Sequence, residues 1–297
     1  MRILFLGTAG GGGLPQWNCG CPFCIKARRG LIKPRLECSV AVTDDGEGWL
    51  VVDAPADIRD AVVKYEELSP RELRCSPIKS IVLTHPDLNH SLGIANFRGP
   101  TTHRYGYVTL YATQWVEDVI KGRNEIFSIV KANWQRLPLR EWIPVKDVKG
   151  RSIGLEIFAI PVPGKPPTYH WKETEETTIA LCIRDRRGSK VTYATVVKAI
   201  TDELIDIMND SDCVIFDGTF WENEELLKYD PYGKTAREIG HIPIKDSLPI
   251  ISSLKSKLKI YTHINNTNPV NDITTEEYRS VLCKGVFIAE DGMEIDL

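Results

Sequence analysis

The sequence lacks any long run of apolar residues, and this absence limits where the protein can work. No stretch reaches the roughly eighteen consecutive apolar residues that a membrane-spanning helix needs. Only Ile3 to Leu6 are apolar before Gly7, which is too short for the hydrophobic region of a secretory signal. The sequence therefore predicts a cytoplasmic protein that does not use a membrane as a partner.

An excess of basic residues is also missing. The chain has 37 lysines and arginines against 40 aspartates and glutamates, which gives a formal net charge of -3 at pH 7. Proteins that bind a polyanion need a positive field, so nucleic acid is not expected as a partner. One local exception is the acid-free stretch from Ile25 to Leu36, which carries five cations. Such a run predicts a solvated face, or alternatively a lip that attracts a carboxylate-bearing substrate.

No internal repeat, low-complexity tract or long linker divides the chain. Its 297 residues, 42% of them apolar, can bury a full core. Strand-like and helix-like segments alternate, so we expect one α/β domain over residues 1–297. Strands are predicted over residues 2–6, 39–43, 49–53, 81–83, 108–111, 153–162, 177–184, 191–194, 213–216 and 258–262, and helices over 58–67, 115–121 and 203–208.

Histidine is scarce, but two of the six histidines fall in one short stretch. Residues 85–90 read His-Pro-Asp-Leu-Asn-His and follow an apolar, β-branched run that predicts a buried strand. His85, Asp87 and Asn89 are two positions apart, so a looped backbone can aim them in one direction, with His90 where the next helix begins. These four side chains could hold one metal ion. The alternative is a polar turn whose histidines are satisfied by hydrogen bonds.

The eight cysteines are better explained as metal ligands and buried side chains than as disulfides, because a reducing compartment is expected. Cys19, Cys21 and Cys24 form a Cys-x-Cys-x-x-Cys knuckle, in which Gly20 and Pro22 favour a tight turn. Three thiolates suit a tetrahedral, structural zinc with one further ligand. The alternative is three free thiols in a loop, which would be open to oxidation. The remaining cysteines are predicted to pack in the core: Cys38, Cys75, Cys182, Cys213 and Cys283.

Two loops are notable for glycine and proline. Gly10 to Gly13 follow the first predicted strand, but Leu14 and Pro15 come where a dinucleotide-binding helix should begin, so a phosphate loop is not expected. The missing Cβ atoms instead let this loop pass close to an active site or a neighbouring backbone. Residues 163–171 combine three prolines with Tyr169, His170 and Trp171, which predicts a stiff loop with an aromatic rim.

Residues 85–90 resemble the motif His-x-His-x-Asp-His of the metallo-β-lactamase superfamily, with Asp87 and Asn89 in place of two family ligands. Further similarity lies in the glycine stretch with residues 15–19, in Asp217-Gly218-Thr219, in Gly240-His241, and in His263-Ile264-Asn265-Asn266-Thr267-Asn268-Pro269. Together these segments resemble the pyrroloquinoline quinone biosynthesis protein B family over nearly the whole chain. The resemblance implies the αββα sandwich of that superfamily, with metals bound at one edge of the paired sheets.

The resemblance also assigns ligands. Cys19, Cys21 and Cys24 match the family's zinc knuckle, while His90 and His263 match the second-site histidines of the superfamily. Asn266 stands where related phosphodiesterases have the histidine that completes the knuckle. Its amide oxygen could serve as the fourth zinc ligand, as could a water or another group.

Two departures from the superfamily bear on the chemistry. The third-motif histidine of dinuclear hydrolases is expected near Pro163 to Lys165, and the metal-bridging aspartate near Thr195. Neither ligand is present. A two-zinc hydrolase needs a bridging carboxylate and several donors for each ion, so that mechanism is poorly supported.

Two histidines and one carboxylate remain, and this set suits non-haem Fe(II) and dioxygen chemistry. Asp87, His90 and His263 would hold the iron, with His85 as an extra ligand or a hydrogen-bond partner of one. The family resemblance implies iron- and oxygen-dependent hydroxylation of a tyrosine ring in a small Glu-Tyr-derived precursor.

The remaining site residues would serve the substrate. His241 would donate a proton or orient the substrate, and Asn89 lies beside the metal ligands as a further catalytic side chain. Trp17, Trp221 and the rim at residues 169–171 would flank an aromatic small molecule or short peptide. Two alternatives stay open, namely a metal-dependent phosphodiesterase or other hydrolase and a non-catalytic carrier of a quinone precursor.

Overall fold

The computed structural model describes residues 1–73, 75–97, 108–123, 132–170 and 172–297. Within these ranges the chain forms two seven-stranded sheets. The strands of the first sheet are β1 (Arg2–Gly7), β2 (Ser39–Thr43), β3 (Trp49–Val52), β4 (Ile78–Val82), β5 (Thr109–Ala112), β6 (Asn133–Arg136) and the last strand of the chain, β14 (Glu294–Asp296). Their spatial order is β14-β1-β2-β3-β4-β5-β6.

The second sheet contains the strands in between. They are β7 (Ile143–Lys146), β8 (Ser152–Pro161), β9 (Ile179–Asp185), β10 (Lys190–Ala194), β11 (Cys213–Asp217), β12 (Leu258–Thr262) and β13 (Phe287–Ile288). Their spatial order is β13-β12-β11-β10-β9-β8-β7.

Seven α-helices occur among the described residues. They are α1 (Pro22–Arg28), α2 (Ile58–Lys64), α3 (Leu88–Ser91), α4 (Gln114–Arg123), α5 (Asp202–Asn209), α6 (Ile244–Ser253) and α7 (Glu276–Cys283). Short 3-10 helices lie at Glu66–Leu68, Leu92–Phe97, Leu226–Lys228, Arg237–Ile239 and Pro269–Asn271. In the described part of the chain, none of the helices combines the length and apolar character needed to cross a membrane.

The two sheets pack face to face, and helices cover their outer faces. Alternate residues of each strand point to opposite faces, so Phe5 and Val52 of the first sheet meet Leu181 and Ile215 of the second in one buried core. A second cluster buries α2 and α4 against the first sheet, and a third buries α5, α6 and α7 against the second. These layers confirm the predicted αββα sandwich.

Parallel strand pairs bring the polar loops to one edge of the sandwich. Strand β3 runs parallel to β4, and β10, β11 and β12 run parallel to one another. The carboxyl ends of parallel strands lie at the same edge, which is where open α/β sheets bind ligands. Asp53 follows β3, residues 85–90 follow β4, Asp217 ends β11 and His263 follows β12. Polar residues far apart in sequence therefore meet at this edge.

The backbone is strained at the same edge. Asp53 and His263 each follow a strand directly, Val196 lies two residues after β10, and the three have φ values of 60°, 60° and 59° in that order. This left-handed region is uncommon for residues other than glycine, and for a β-branched valine it is an outlier. Such conformations persist where the surrounding structure imposes them and cluster at functional sites.

Some predictions from the sequence were wrong in detail. The helix predicted over residues 58–67 ends at Lys64 and gives way to the short 3-10 helix Glu66–Leu68. Strand β6 was not predicted, and Cys283, predicted to lie in the core, is exposed at the end of α7. Cys75 is only half-buried, whereas Cys38, Cys182 and Cys213 are buried as expected.

Gly93 offers a test of the packing beside the histidine motif. A Cβ atom at this position would lie 1.9 Å from the Pro55 carbonyl oxygen and 2.6 Å from Ile58 Cγ2. We expect Gly93→Ala to lower the free energy of unfolding by about 3 kcal/mol, because such overpacking forces the backbone apart. Urea unfolding monitored by circular dichroism measures this difference.

The matched control is Gly122→Ala in α4, where an added Cβ meets no atom within 4 Å. Alanine favours a helix by up to about 1 kcal/mol over glycine, so this variant should be slightly more stable. An equal loss of stability in both variants would contradict the packing described at Gly93.

Candidate metal centre

Three buried histidines form a row at the carboxyl edge of the strands. The ring centroids of His90 and His263 are 5.2 Å apart, and those of His241 and His263 are 5.4 Å apart. The rings are nearly parallel, with interplanar angles of 15° and 25°. His90 lies on α3, His263 follows β12, and His241 follows the short helix Arg237–Ile239. His263 is therefore the middle member of what we call the histidine row.

The orientation of the His90 ring is set by Asp53. His90 Nδ1 donates to Asp53 Oδ2 at 2.9 Å, and the same carboxylate accepts the Thr84 N–H at 2.8 Å and the Thr84 hydroxyl at 2.7 Å. Because a carboxylate only accepts hydrogen bonds, the His90 proton lies on Nδ1 and the lone pair lies on Nε2. His90 Nε2 is buried and has no hydrogen-bond partner among the residues that the structure describes.

His241 and His263 share a second acidic anchor. His241 Nδ1 donates to Asp217 Oδ2 at 2.7 Å. The Thr219 hydroxyl donates to Asp217 Oδ1 at 2.6 Å, so the Thr219 oxygen is left to accept His263 Nδ1 at 2.8 Å. Burial alone would raise the pKa of Asp217, but the attraction and hydrogen bonding of His241 lower it. An ionised Asp217 therefore fixes the proton of both rings on Nδ1.

In the histidine row each Nδ1 is thus held by Asp53, Asp217 or Thr219, and the Nε2 atoms are left for other partners. Burial, reinforced by the neighbouring histidines, lowers the pKa of His263 well below its usual value. Asn89 Nδ2 donates to the lone pair of His263 Nε2 at 3.3 Å. A neutral imidazole whose other nitrogen donates to a carboxylate or hydroxyl is the usual protein ligand of a transition metal. The buried, unpartnered Nε2 of His90 fits this role.

Asp217 is close enough to be considered as a ligand itself. One ligand atom each from Asp217, His241 and His263 lies within 4.8 Å of the others. However, Asp217 Oδ2 also accepts the Val197 N–H at 2.7 Å, and its Oδ1 accepts the Thr219 N–H at 3.1 Å. Both oxygens are occupied, so we assign Asp217 to positioning the rings rather than to binding a metal.

The structure does not bring His85 and Asp87 into the row. His85 Nδ1 accepts the Asp87 N–H at 3.1 Å, so its Nε2 donates to the Lys165 carbonyl oxygen at 3.1 Å. Burial lowers the pKa of His85 to about 3. Asp87 is bound by Lys165 Nζ at 2.8 Å and by the N–H and hydroxyl of Thr168, each at 3.1 Å. The His85 ring lies 5.7 Å from the His90 ring, edge-on, but its Nε2 holds the proline-rich loop and its Nδ1 is engaged by the Asp87 N–H.

The glycine stretch lies against the row. A Cβ atom on Gly10 would lie 3.5 Å from His263 Nδ1, and one on Gly11 would lie 3.4 Å from Asn89 Cγ. The Gly10 N–H also donates to the Ile264 carbonyl oxygen at 2.9 Å. The absence of side chains here lets the loop approach the site, as one of the alternatives from the sequence predicted.

The cysteine knuckle forms a second, separate cluster. The sulfurs of Cys19, Cys21 and Cys24 lie within 4.8 Å of one another. The Asn266 side-chain nitrogen lies 3.2, 3.7 and 3.4 Å from these three sulfurs in that order. Cys21 caps α1, where the Cys24 N–H donates to its sulfur at 3.4 Å, and Pro22 occupies the first turn. Three thiolates fit a tetrahedral zinc ion, and the Asn266 amide would have to turn its oxygen towards the sulfurs to serve as the fourth ligand.

Several predicted or relevant residues lie elsewhere. Trp17 is 86% exposed, Trp221 packs partly against the second sheet's outer core, and Trp171 lies outside the described residues. Asp53 and Thr219, which orient the row, were not identified from the sequence as site residues. Asp53 could have been found as a single carboxylate directly after an apolar strand, Trp49–Val52.

The role of Asp53 gives a prediction. We expect Asp53→Asn to weaken metal binding in the histidine row by about 10- to 100-fold, because the hydrogen bond that fixes the His90 ring becomes weaker. Competition with a chelator of known affinity measures the change. Asp60→Asn is the control, since Asp60 on α2 is exposed and its carboxylate pairs with the neighbouring Arg59. Equal affinities for wild type and Asp53→Asn would contradict the role given to Asp53.

Comparison with known proteins places the fold and the family. A β-lactamase superfamily domain matches residues 48–264. Coenzyme PQQ synthesis protein B of Ruegeria pomeroyi is 34% identical over 306 residues, with 100% of both chains covered. The protein of that name from Rhizobium meliloti is 37% identical over 309 residues, covering 100% of this chain and 98% of the relative.

Solved structures agree. Zinc-bound PqqB from Methylobacterium extorquens superposes with a TM-score of 0.90 at 32% identity, and both chains are covered completely. A diphosphatase of the PhnP family shares the fold alone, with a TM-score of 0.72 at 23% identity over 100% of this chain and 97% of that one. This chain therefore belongs to the coenzyme PQQ synthesis protein B family of the β-lactamase superfamily.

Proposed function

We propose that this chain acts in pyrroloquinoline quinone synthesis as an iron- and oxygen-dependent hydroxylase of a tyrosine-derived small molecule or short peptide in the cytoplasm. Its relatives named coenzyme PQQ synthesis protein B, matched along the whole chain, support the pathway. The observation that carries the chemistry is the buried His90 Nε2, unpartnered among the described residues, beside the parallel His263 ring.

His90 and His263 would hold the metal through Nε2, and His241, stacked on the other side of His263, would donate a proton or orient the substrate. Imidazole suits iron as well as zinc, and an iron ion bound here would supply the activation of dioxygen. Asp87, predicted from the sequence as the carboxylate ligand, is not part of this set, because Lys165 and Thr168 engage its oxygens. Negative charge comes instead from Asp53 and Asp217, each one hydrogen bond behind a ring.

The residues around the row favour a single metal ion over a bridged pair. A dinuclear hydrolase needs a bridging carboxylate. The residue near the expected position of that carboxylate, directly after β10, is Thr195, which carries a hydroxyl group instead. The carboxylate of the histidine motif, Asp87, is already paired with the Lys165 ammonium. Three oriented imidazoles also argue against a carrier without chemistry, since such a protein has no need to fix their protons.

Asn89 is placed to contact a substrate. Its amide lies beside His263 Nε2 and against the glycine stretch, and Asn89 is partly exposed. An amide can donate to a phenolic oxygen or accept from it, so this side chain can orient a tyrosyl ring. For the cysteine knuckle, we propose a structural zinc held by Cys19, Cys21 and Cys24 with Asn266 as the fourth group.

Oxygen incorporation tests the proposed activity. Metal-stripped protein is loaded with Fe(II) without air and then given isotope-labelled dioxygen, glutamyl-tyrosine and ascorbate, which supplies the two electrons that reduce the second oxygen atom to water. We expect a product heavier by one labelled oxygen, seen by mass spectrometry. The same protein loaded with zinc in the row is the control and should leave the dipeptide unchanged. Unchanged tyrosyl compounds with iron, together with cleavage of a phosphodiester by the zinc form, would establish a hydrolase instead.

A further inference from the structure

We propose that Lys165 is a specificity residue whose ammonium group binds a carboxylate of the substrate beside the histidine row. This inference rests on the proposed function for the kind of substrate, a small aromatic acid. Lys165 is not a metal ligand and was not identified from the sequence as a binding residue.

The loop around Lys165 is fixed on the site. Its carbonyl oxygen accepts the His85 Nε2 proton at 3.1 Å, and the preceding Pro163 carbonyl oxygen accepts the Lys198 N–H at 2.7 Å. Tyr169, further along the loop, donates its hydroxyl proton to the Pro86 carbonyl oxygen at 2.5 Å. A loop tied at these points presents the Lys165 side chain in a defined place rather than letting it sweep through solvent.

Gly240 explains how the lysine stem reaches the row. An added Cβ on Gly240 would lie 2.9 Å from both Cβ and Cγ of Lys165, and the φ value of +90° at Gly240 favours glycine. Because the next residue is His241, the bare backbone at Gly240 lets the aliphatic stem of Lys165 pack directly beside the metal centre.

The ammonium group has donors to spare. Lys165 Nζ lies 2.8 Å from Asp87 Oδ2, and its side chain is 26% exposed. An ammonium has three donors, whereas in the described part of the chain Asp87 is its paired acid. Asp87 in turn keeps two hydrogen bonds from Thr168 if the ammonium turns away. Asp87 therefore pairs with the ammonium but keeps other hydrogen bonds without it. A ligand carboxylate can bind the ammonium together with Asp87 or in place of Asp87.

The charge of Lys165 is felt at the row. Burial and the neighbouring histidines are the main causes that lower the pKa of His263, and the Lys165 ammonium lowers it further. The ammonium also lowers the pKa of His85. The geometry agrees, because the Lys165 stem packs at Gly240, next to His241 in the chain, and the Lys165 carbonyl oxygen accepts from His85. A ligand carboxylate bound to Lys165 would place the rest of a small aromatic acid against Asn89 and the row.

Binding of two matched probes tests this proposal without iron, oxygen or turnover. The probes are 4-hydroxyphenylacetate and its neutral amide, titrated into zinc-loaded protein by calorimetry. We expect the wild type to bind the acid about tenfold more tightly than the amide, because charge-assisted hydrogen bonds are about twice as strong as neutral ones. Lys165→Met should bind the acid only as well as the amide, while Lys165→Arg should keep most of the preference.

Two further variants sharpen the result. Asp87→Asn releases the ammonium, so the acid should bind several-fold more tightly, and the same change should have no effect in the Lys165→Met background. Lys198→Met removes an equal charge from an exposed lysine nearby and should leave the preference intact. Unchanged zinc content and melting temperature show that each variant is folded.

Two outcomes would overturn the proposal: a wild type that does not prefer the acid, or a Lys165→Met variant that still does. Because no oxygen chemistry enters these measurements, such a failure leaves the hydroxylation test unaffected. Conversely, the hydroxylation test could fail while the protein still prefers the acid to the amide. That result would contradict the proposed reaction but support carboxylate binding by Lys165.

Discussion

Replacing His263 with alanine should empty the histidine row and leave the cysteine-bound zinc in place. His263 is the middle ring, 5.2 Å from His90 and 5.4 Å from His241, so its loss removes a ligand and separates the two rings that remain. Loss of a residue that only orients a metal-binding side chain weakens metal affinity by about 10- to 100-fold. Loss of the metal-binding side chain itself should weaken it more. Metal content per chain after dialysis, measured by plasma mass spectrometry, should fall by one iron and no zinc.

His170→Ala is the matched control for this experiment. His170 packs edge-on against Trp115 at a centroid distance of 5.3 Å and takes no part in the row. It should keep both metals. If His263→Ala instead lost iron and zinc together, the two clusters would not be independent sites.

Replacing Cys21 with alanine should have the opposite pattern, with zinc lost, iron retained and the protein less stable. The Cys21 sulfur contacts the Asn266 side chain and accepts the Cys24 N–H, so this residue joins α1 to the turn after β12. A metal that binds only the folded state stabilises it by about 4 kcal/mol when free metal exceeds the Kd roughly a thousandfold. The variant should lose stability of this order, measured by chemical unfolding with zinc present.

Cys283→Ala controls for the removal of a thiol, because Cys283 is exposed at the end of α7. It should unfold like the wild type and keep its zinc. Treating the wild type with a chelator should reproduce the instability of Cys21→Ala. A Cys21→Ala variant with normal zinc content and stability would rule out a structural zinc in the knuckle.

Most strands could be predicted because burial on both faces leaves continuous apolar, β-branched runs. Strand β11 is of this kind, while β4 and β12 each end in a shorter buried run, and polar residues come at or soon after the end of each strand. Strand β6 could not be found in this way. Three of its four residues, Asn133, Gln135 and Arg136, are polar and exposed, and the strand is held at the sheet edge by backbone pairing to β5. Pairing of that kind leaves no periodic pattern in the side chains.

The candidate site was only partly predictable, for a reason that the motif itself illustrates. The two-residue spacing of His85, Asp87 and Asn89 suggested one common direction, which is a local argument. The structure turns His85 and Asp87 towards Lys165 and Thr168, about eighty positions along the chain, and Asn89 towards His263. Long-range contacts decided the direction of each side chain, and the spacing carried no information about them.

The anchors of the row were hidden for a related reason. Asp53 follows a strand of the first sheet, while Asp217 and Thr219 lie at the end of a strand in the second. They come together only because the two sheets pack with the carboxyl ends of their parallel strands at the same edge. Strand order and sheet packing are needed before such residues can be assigned to one site.

Anomalous diffraction from crystals of the protein carrying its own metals, recorded at the iron and zinc absorption edges, tests the single-ion histidine site most directly. We expect one iron peak at the Nε2 atoms of His90 and His263, and one zinc peak among the sulfurs of Cys19, Cys21 and Cys24. A bridged pair of metal peaks reaching His85 and Asp87 would contradict it.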